Sequence, residues 1–331
     1  MNISTDRMKK PRFAAVVASH KMYEAMPECL SGLQEALDTP EDLIFVDNGS
    51  GGELTVWAEE NYPGITVLTR EENGFYCGGF NEGMRYAIEE GYDYVAVINA
   101  DSIVKNPDFL RRMAERMEQL PKTAFLGPQV YSDEAGTIQN TILRDPDFLR
   151  ALWVWLPYRL FPRDNARRCI KEQEVEFLNG VCVLCRCAAL QEVGLLDETF
   201  GGYVEDTDWS WRARQKGWNS VFTPIPSVLH EMEPYGYAHH SPKVFFLKRN
   251  TVYWYLKVGR KKEARAYALA ALFLARLRWL GSRSREERQA KAGFIKELRA
   301  EYRRLFQAAS AGAPEVPLPL DAIARLYAAD C

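Results

Sequence analysis

Tyr92-Asp93-Tyr94-Val95-Ala96-Val97-Ile98-Asn99-Ala100-Asp101 is the stretch whose reading decides the fold. A short, continuously apolar run reads as a strand covered on both faces, the habit of parallel sheets rather than half-solvated antiparallel ones. The run stops at Asn99-Ala100-Asp101, where polar groups follow without a linker. Working back, Phe13 to Ser19 reads as a first strand, and Leu43 to Asp47 as a second that ends in the turn cluster Asp47-Asn48-Gly49-Ser50. Ile65 to Thr69 reads as a third. Between them, Glu28 to Leu37 repeats Leu30, Leu33 and Leu37 at helical spacing, and Gly78 to Glu90 is a glycine-opened helix. Alternating strands and helices predict βαβ units and an α/β fold with a mostly parallel central sheet flanked by helices.

Working forward, Asp108 to Gln119 is expected as a helix leading into the strand at Ala124. Tyr131 to Glu174 is irregular and rich in Arg, Trp and Pro, read as a connector near the acceptor side. Glu176 to Cys187 reads as a strand, Asp206 to Gly217 as a short helix, and Ser220 to His230 as the last sheet strand. Past a loop at Glu231 to Pro242, the pattern is helical from about Phe245 to Gln307. An Ala/Gly/Pro linker and a short amphipathic piece follow. The organisation expected is therefore one α/β domain over 1–244, in two halves (about 12–122 and 123–244). A basic amphipathic helical segment (245–307) and a linker with a short helix (308–331) form a C-terminal helical extension.

The 331 residues are 47% hydrophobic and 26% charged, an ordinary globular balance. The net charge of −3 hides an asymmetry: Lys257 to Arg304 carries fifteen Lys/Arg against five Asp/Glu, a net of +10. An acidic body with a basic segment points to a membrane surface or an anionic acceptor more than to nucleic acid. Met1 to Arg12 has no apolar core of a signal peptide, and the apolar stretch Ala266 to Ala275 is far short of the ~20 residues of a membrane span. A cytoplasmic protein, peripheral at most on the inner face of the membrane, is expected. The seven cysteines are then reduced thiols. Cys182, Cys185 and Cys187 sit in an apolar run with no fourth ligand nearby, so a core role is preferred to zinc.

In open α/β sheets ligands bind where strands end. Four polar clusters fall there: Ser19-His20, Asp47-Asn48, Asn99-Ala100-Asp101 and His230. A carboxylate at Asp101 offers the hard oxygen that Mg²⁺ or Mn²⁺ takes, and a neutral His230 at the same edge can join it. Glu205, Asp206 and Asp208 place three carboxylates in four residues before a helix, where capping needs only one. Asp206 is the candidate general base. Asn73, Gly78, Gly79 and Asn81 lie in a Gly-rich loop opening a helix, where backbone N–H groups could meet a phosphate. The loop is not G-x-G-x-x-G and follows the third strand, which argues against a dehydrogenase.

In this order the clusters resemble the family 2 glycosyltransferases of GT-A fold, particularly a rhamnosyltransferase-like branch. The resemblance rests on Val46 to Ser50, Asn73 to Gly83, Asn99-Ala100-Asp101, Leu178-Asn179-Gly180, Gly194 to Glu198, Glu205 to Trp209 and His230, and Arg249-Asn250 also looks familial. It implies an inverting, metal-dependent transfer from a nucleotide diphosphate sugar to a hydroxyl acceptor by single displacement. Asp47 would contact the base, with Ser19, His20, Asn73, Gly78, Gly79, Asn81 and Asn99 also on the donor side. Asp101 and His230 would hold the metal, Asp206 would be the base, and Glu205, Asp208 and Trp209 would face the acceptor. Asn99 stands where the family's metal motif has its first acid, which removes one charge from the site. The expected donor is dTDP-rhamnose, with a UDP-hexose second, and the expected acceptor is a glycan or lipid-linked glycan in polysaccharide synthesis. A nucleotidyltransferase would need a Gly-rich basic loop after the first strand, which Ser19 to Met22 lacks. A sugar-nucleotide-binding scaffold without turnover is the remaining alternative, disfavoured by Asp101, Asp206 and His230 together.

Overall fold

The computed structural model describes residues 10–143 except 22, 23 and 25, then 169–230, 241–312 and 316–330. Residues 144–168 of the expected connector and 231–240 of the expected loop lie outside the described residues. Among the described residues the fold is α/β, with strands β1 (Phe13–Ser19), β2 (Leu43–Asn48), β3 (Thr66–Arg70) and β4 (Tyr94–Ile98) parallel to one another. Helices α1 (Met26–Ala36), α2 (Glu53–Asn61) and α3 (Phe75–Glu89) connect them. Both faces of these strands are covered, so their apolar runs alternate between two cores. Ala14 and Val16 enter one cluster, and Phe13, Ala15 and Val17 enter the other.

After β4 come the short β5 (Ser102–Ile103), α4 (Phe109–Glu118) and β6 (Thr123–Tyr131). A small two-stranded pair joins β7 (Ile142–Leu143) to β9 (Phe177–Leu178), with β8 (Gln173–Val175) just before it. The strand expected at 176–187 is broken: β9 stops at Leu178, β10 runs Cys182–Arg186, and Cys187 opens a helix, α5 (Cys187–Val193). β10 is antiparallel to both β4 and β6, lying between them. α6 (Glu205–Gln215) precedes β11 (Asn219–His230), which is parallel to β6 across a bulge and closes the order β3-β2-β1-β4-β10-β6-β11-β5. The alternation of β10 puts Cys182 in one core and Cys185 in the other, with Cys187, so the three thiols cannot converge on one ion.

The helical region comprises α7 (Pro242–Lys257), α8 (Lys261–Leu280), α9 (Arg285–Ser310) and α10 (Leu320–Asp330). The Ser241 hydroxyl caps α7, with Pro242 as its first residue, and Ser284 caps α9 in the same way. α7 does not stand apart from the body. Phe245, Phe246, Val252, Tyr253, Trp254 and Tyr255 are buried in the core cluster that also holds Val16 of β1 and Trp209 of α6.

Candidate active site

The metal-side pair is assembled by strand register. β5 runs antiparallel to the end of β11 with His230 opposite Ser102, which sets His230 beside Asp101 at the turn after β4. His230 Nε2 lies 3.3 Å from Asp101 Oδ1. Its Nδ1 is 2.9 Å from Gln139 Oε1, which holds the ring with Nε2 turned to Asp101. A ring nitrogen and a carboxylate that close are bridged by a cation, either a proton or a metal. Burial pushes the Asp101 carboxyl up, but the hydrogen bond and charge of His230, with Lys243 further off, outweigh it and hold the group below its ordinary range. Asn99 Oδ1 is buried nearby in sequence with no hydrogen-bond partner among the described residues. An imidazole held from behind by an amide, and a carboxylate beside it, are two ligands of the kind a divalent cation such as Mg²⁺ or Mn²⁺ takes, and among the described residues no third His, Cys, Asp or Glu joins them.

The turn Asn179-Gly180-Val181 links this pair to the acid cluster. Asn99 N–H donates to the Val181 carbonyl at 2.9 Å, and the Gly180 carbonyl accepts from Tyr76 Oη at 2.6 Å. Burial pushes the Asp206 carboxyl up to about 6, although backbone N–H groups of Thr207 (2.7 Å) and Gly180 favour its ionised form. Burial also lifts Glu205 well above the usual carboxylate range, with the charge of Asp206 adding to it, and its Oε2 has no hydrogen-bond partner among the described residues. Both acids line a small cavity with Tyr76, Gly180 and Trp209. At neutral pH Asp206 is ionised yet more basic than an ordinary aspartate, the condition a general base needs.

The backbone leading to Asp206 is strained. Tyr203 and Val204 have φ of 66° and 74°, a region that a β-branched residue such as Val rarely enters. Asn250 of α7 holds them there: its Nδ2 donates to the carbonyls of Phe200, Gly202 and Tyr203 at 2.8, 2.7 and 2.9 Å. The neighbouring Arg249 is fully buried and donates to the Thr199 carbonyl, the Asn250 amide oxygen, Glu301 and the Val316 carbonyl. The motif had signalled these two residues but not this clamp. Tyr76 and Gly180 lie in motifs quoted for the resemblance but were given no role, and Gln139 carries no local signal at all.

Several expected site residues turn out to be struts. Asp208 is buried and paired with Arg212 (2.7 Å) and Lys257 (2.8 Å), and the Trp209 indole donates to the Gly194 carbonyl while packing on Phe125. Asp208 presents no free group to an acceptor, whereas Trp209 also lines the cavity beside Asp206. Asn81 cross-links α3 to the chain at Leu196 and Glu198 through both ends of its amide. The expected phosphate cradle is not formed by Gly78 and Gly79. Phe75 N–H donates to the Asn73 side chain, Cys77 N–H to the Gly201 carbonyl and Gly78 N–H to the Gly74 carbonyl, so these donors are already used. The glycines serve packing instead: a Cβ on Gly79 would lie 2.8 Å from Asn48 Nδ2, and one on Gly83 would strike Val16. Asn48 ties the loop from behind, bonding Asn73, Gly74 and Phe75.

Asp47 is buried at the end of β2 and accepts from Ser50 N–H, Thr55 N–H and Thr55 Oγ1 at 2.9, 3.2 and 3.1 Å. It organises the turn into α2, with room on a carboxylate for about one further donor. Ser19 is buried at the tip of β1, and exposed His20 reaches the Asn48 carbonyl through Nδ1 at 3.1 Å. Ser19, His20 and Asp47 thus share one sheet edge, since Ser19 pairs with Asp47 across β1 and β2.

Comparison with known proteins bears on this arrangement. The N-acetylglucosaminyl-diphospho-decaprenol L-rhamnosyltransferase of Mycobacterium tuberculosis is 26% identical over 249 residues, covering 68% of this chain and 80% of that protein. The low-salt glycan biosynthesis hexosyltransferase Agl10 of Haloferax volcanii is 24% identical over 210 residues, covering 61% of this chain and 63% of its own length. Among solved structures, the mannosyltransferase PcManGT of Pyrobaculum calidifontis, in complex with GDP-Man and Mn²⁺, superposes with a TM-score of 0.51. It is 16% identical and covers 98% of this chain and 87% of that one, which establishes the shared GT-A fold. Residues 14–194 match the sequence family Glycosyl transferase family 2, a span that holds Asp47 and Asp101 but stops short of Asp206 and His230. With more than half of its length inside that match and the fold agreeing, the chain belongs to glycosyl transferase family 2.

Proposed function

We propose that this glycosyltransferase moves L-rhamnose from dTDP-rhamnose to a hydroxyl of a lipid-linked glycan, by single displacement with inversion, at the cytoplasmic face of a membrane. The observation that carries the mechanism is Asp206: a carboxylate made more basic by burial, beside Glu205, whose carboxyl burial lifts well above the usual range and whose Oε2 has no partner among the described residues. As the acceptor oxygen bonds to the anomeric carbon, the bond to the diphosphate breaks and the acceptor proton passes to an Asp206 oxygen. Thr207 and Gly180 N–H groups orient that carboxylate. Asp101 and His230, with Asn99, would hold Mg²⁺ or Mn²⁺, whose charge offsets that of the departing nucleoside diphosphate. Gln139 keeps the His230 ring turned for that task. Asp47, with Ser19 and His20 at the same edge, supports the base of the nucleotide.

The sugar and acceptor are supported by the mycobacterial relative, whose name specifies L-rhamnose and a polyprenyl diphosphate-linked sugar. A undecaprenyl-phosphate mannosyltransferase of Micrococcus luteus, 29% identical over 108 residues, adds a second lipid-linked case. Among the described residues no helix is long and apolar enough to cross a membrane. The test is a donor panel with Mn²⁺: dTDP-rhamnose, UDP-hexoses and GDP-mannose, each with a polyprenyl diphosphate-linked acceptor, and the anomeric configuration of the product read by NMR. Transfer only from dTDP-rhamnose with inverted configuration is expected. Preferential use of a UDP-hexose or of GDP-mannose overturns the donor, and a retained configuration overturns the mechanism.

A further inference from the structure

Helix α8 presents an apolar stripe that nothing among the described residues covers. Leu269, Phe273, Leu277 and Leu280 are 70%, 58%, 47% and 63% exposed and follow one another at spacings of four, four and three, which keeps them on one face for about 16 Å. The opposite face is fixed: Ala264, Tyr267, Ala268, Ala271 and Ala275 are buried against the rest of the protein, so the helix cannot roll to hide the stripe. At its far end the stripe runs into an apolar depression lined by Trp279, Leu280, Ala292 and Ile295. Scattered exposed leucines are ordinary, but four in one register on a helix with a packed back are a contact surface.

Charge decides what the surface meets. At about 100° per residue, Lys262, Arg265 and Arg276 fall on the same face as the four apolar side chains, and all three are exposed. Several acids of α8 and α9 are already paired: Glu263 with Arg260, Glu287 with Lys291 and Glu297 with Arg325. A second copy docked stripe to stripe would set these cations against their own kind. We infer that the outer face of α8 seats on an anionic lipid surface, with Leu269, Phe273, Leu277 and Leu280 in the acyl boundary and Lys262, Arg265 and Arg276 extended to headgroup phosphates. The basic segment therefore divides its labour. Its apolar residues at Tyr267 and Leu272 serve the core, and only the four at the outer face serve the membrane.

Flotation of the full chain with vesicles tests this without any turnover, so its outcome is independent of the transfer reaction proposed above. With phosphatidylcholine–phosphatidylglycerol vesicles the protein should float, and raising the salt should release it. With phosphatidylcholine alone binding should be much weaker. Phe273→Asp should lower the partition coefficient by about tenfold or more, the loss of one buried aromatic side chain. Arg265→Glu together with Arg276→Glu should lower it by about 25-fold or more, near fivefold for each basic side chain removed. Phe273→Trp should preserve or strengthen binding, and all of these surface variants should keep the parent melting temperature. No flotation with anionic vesicles overturns the inference. So does flotation that none of the substitutions weakens, since another surface is then responsible. Concentration-dependent dimerisation that Phe273→Asp abolishes, without lipid binding, assigns the stripe to a second copy instead.

Discussion

Asn250→Ala tests whether a buried amide, and not only the carboxylate it serves, sets the rate. The amide has two N–H groups and faces three carbonyls at 2.7 to 2.9 Å. Two neutral hydrogen bonds contribute about 1 kcal/mol each, and the carbonyls left dry cost about as much again. The conformations of Tyr203 and Val204 cost about 1–3 kcal/mol each, so the clamp and the strain it opposes are of one size. Without the clamp the turn relaxes and Asp206 shifts. A displacement on the order of 1 Å lowers turnover about 100-fold. The assay is steady-state transfer with the donor and acceptor varied in turn. kcat should fall by about that factor while the donor KM stays within about twofold, since Asp101 and His230 are held by β5 and β11, not by α7. A second readout separates positioning from mere loosening. A more solvated Asp206 loses the burial that raises it, so the acid limb of the kcat profile moves from about 6 toward the ordinary value of about 3.9. Asn250→Asp, equal in shape but without donors, should be no better than alanine. A kcat within twofold of the parent, with an unmoved acid limb, refutes the reasoning.

Asp206→Asn should lower kcat by about 100-fold or more with donor binding intact. Its folded pKa is raised, so ionisation costs stability above about 6 and nothing below the unfolded value. The asparagine variant should therefore melt higher than the parent above about pH 7, with the gap closing as pH falls toward 4; a variant that melts lower at neutral pH contradicts the assigned burial. EDTA should remove activity and Mn²⁺ or Mg²⁺ restore it, and Asp101→Ala and His230→Ala should each raise the metal concentration needed for half activity. Full turnover in chelator would remove the cation from the site. Asp47→Ala should weaken nucleotide binding by about 1.5–3 kcal/mol and also lower the melting temperature, because Ser50 and Thr55 lose their acceptor. Calorimetric titration showing unchanged affinity leaves Asp47 as a strut alone. Gly83→Ala should destabilise by about 1–3 kcal/mol through overpacking against Val16, which a denaturant titration would read.

β1, β2 and β4 could be read because each is buried on both faces, and a doubly buried strand leaves an unbroken apolar run in the sequence; β3 is a half-exposed edge strand. Asp101 and His230 stood out as candidates because polar groups at strand ends have few structural excuses, and Asp206 because a helix start needs only one of the three carboxylates found there. The section from β6 to β10 could not. β10 is entered from a tight turn and leaves directly into α5, so one apolar run from 176 to 187 contains the end of one strand, a turn, a second strand and the start of a helix. Asp208, Trp209 and Asn81 have internal partners that the sequence does not show. A buried ion pair, a buried indole and a buried amide look in sequence like ligand-binding groups, and only the positions of Lys257, Gly194 and Leu196 reveal that their partners are internal. Gln139 shows the converse: it acts through His230, ninety-one positions away, and nothing near it in the chain says so.

The antiparallel insertion of β10 between β4 and β6 governs how the chain is made. β4 emerges from the ribosome with one edge paired to β1 and the other bare, and its partner Cys182 follows Ile98 eighty-four positions later. At about 5–20 residues per second the open edge waits roughly 4–17 s. An open apolar strand edge is a template for pairing with another chain. The nascent protein thus has a stretch of vulnerability in the middle of its synthesis, when a chaperone holding the β4 edge would matter most. The lock on the acid-bearing turn comes later still, as Arg249 needs Glu301 and then the Val316 carbonyl before its bonds are complete. The sheet and the tie on the Asp206 turn therefore mature at different times, and a stalled chain carries the first without the second.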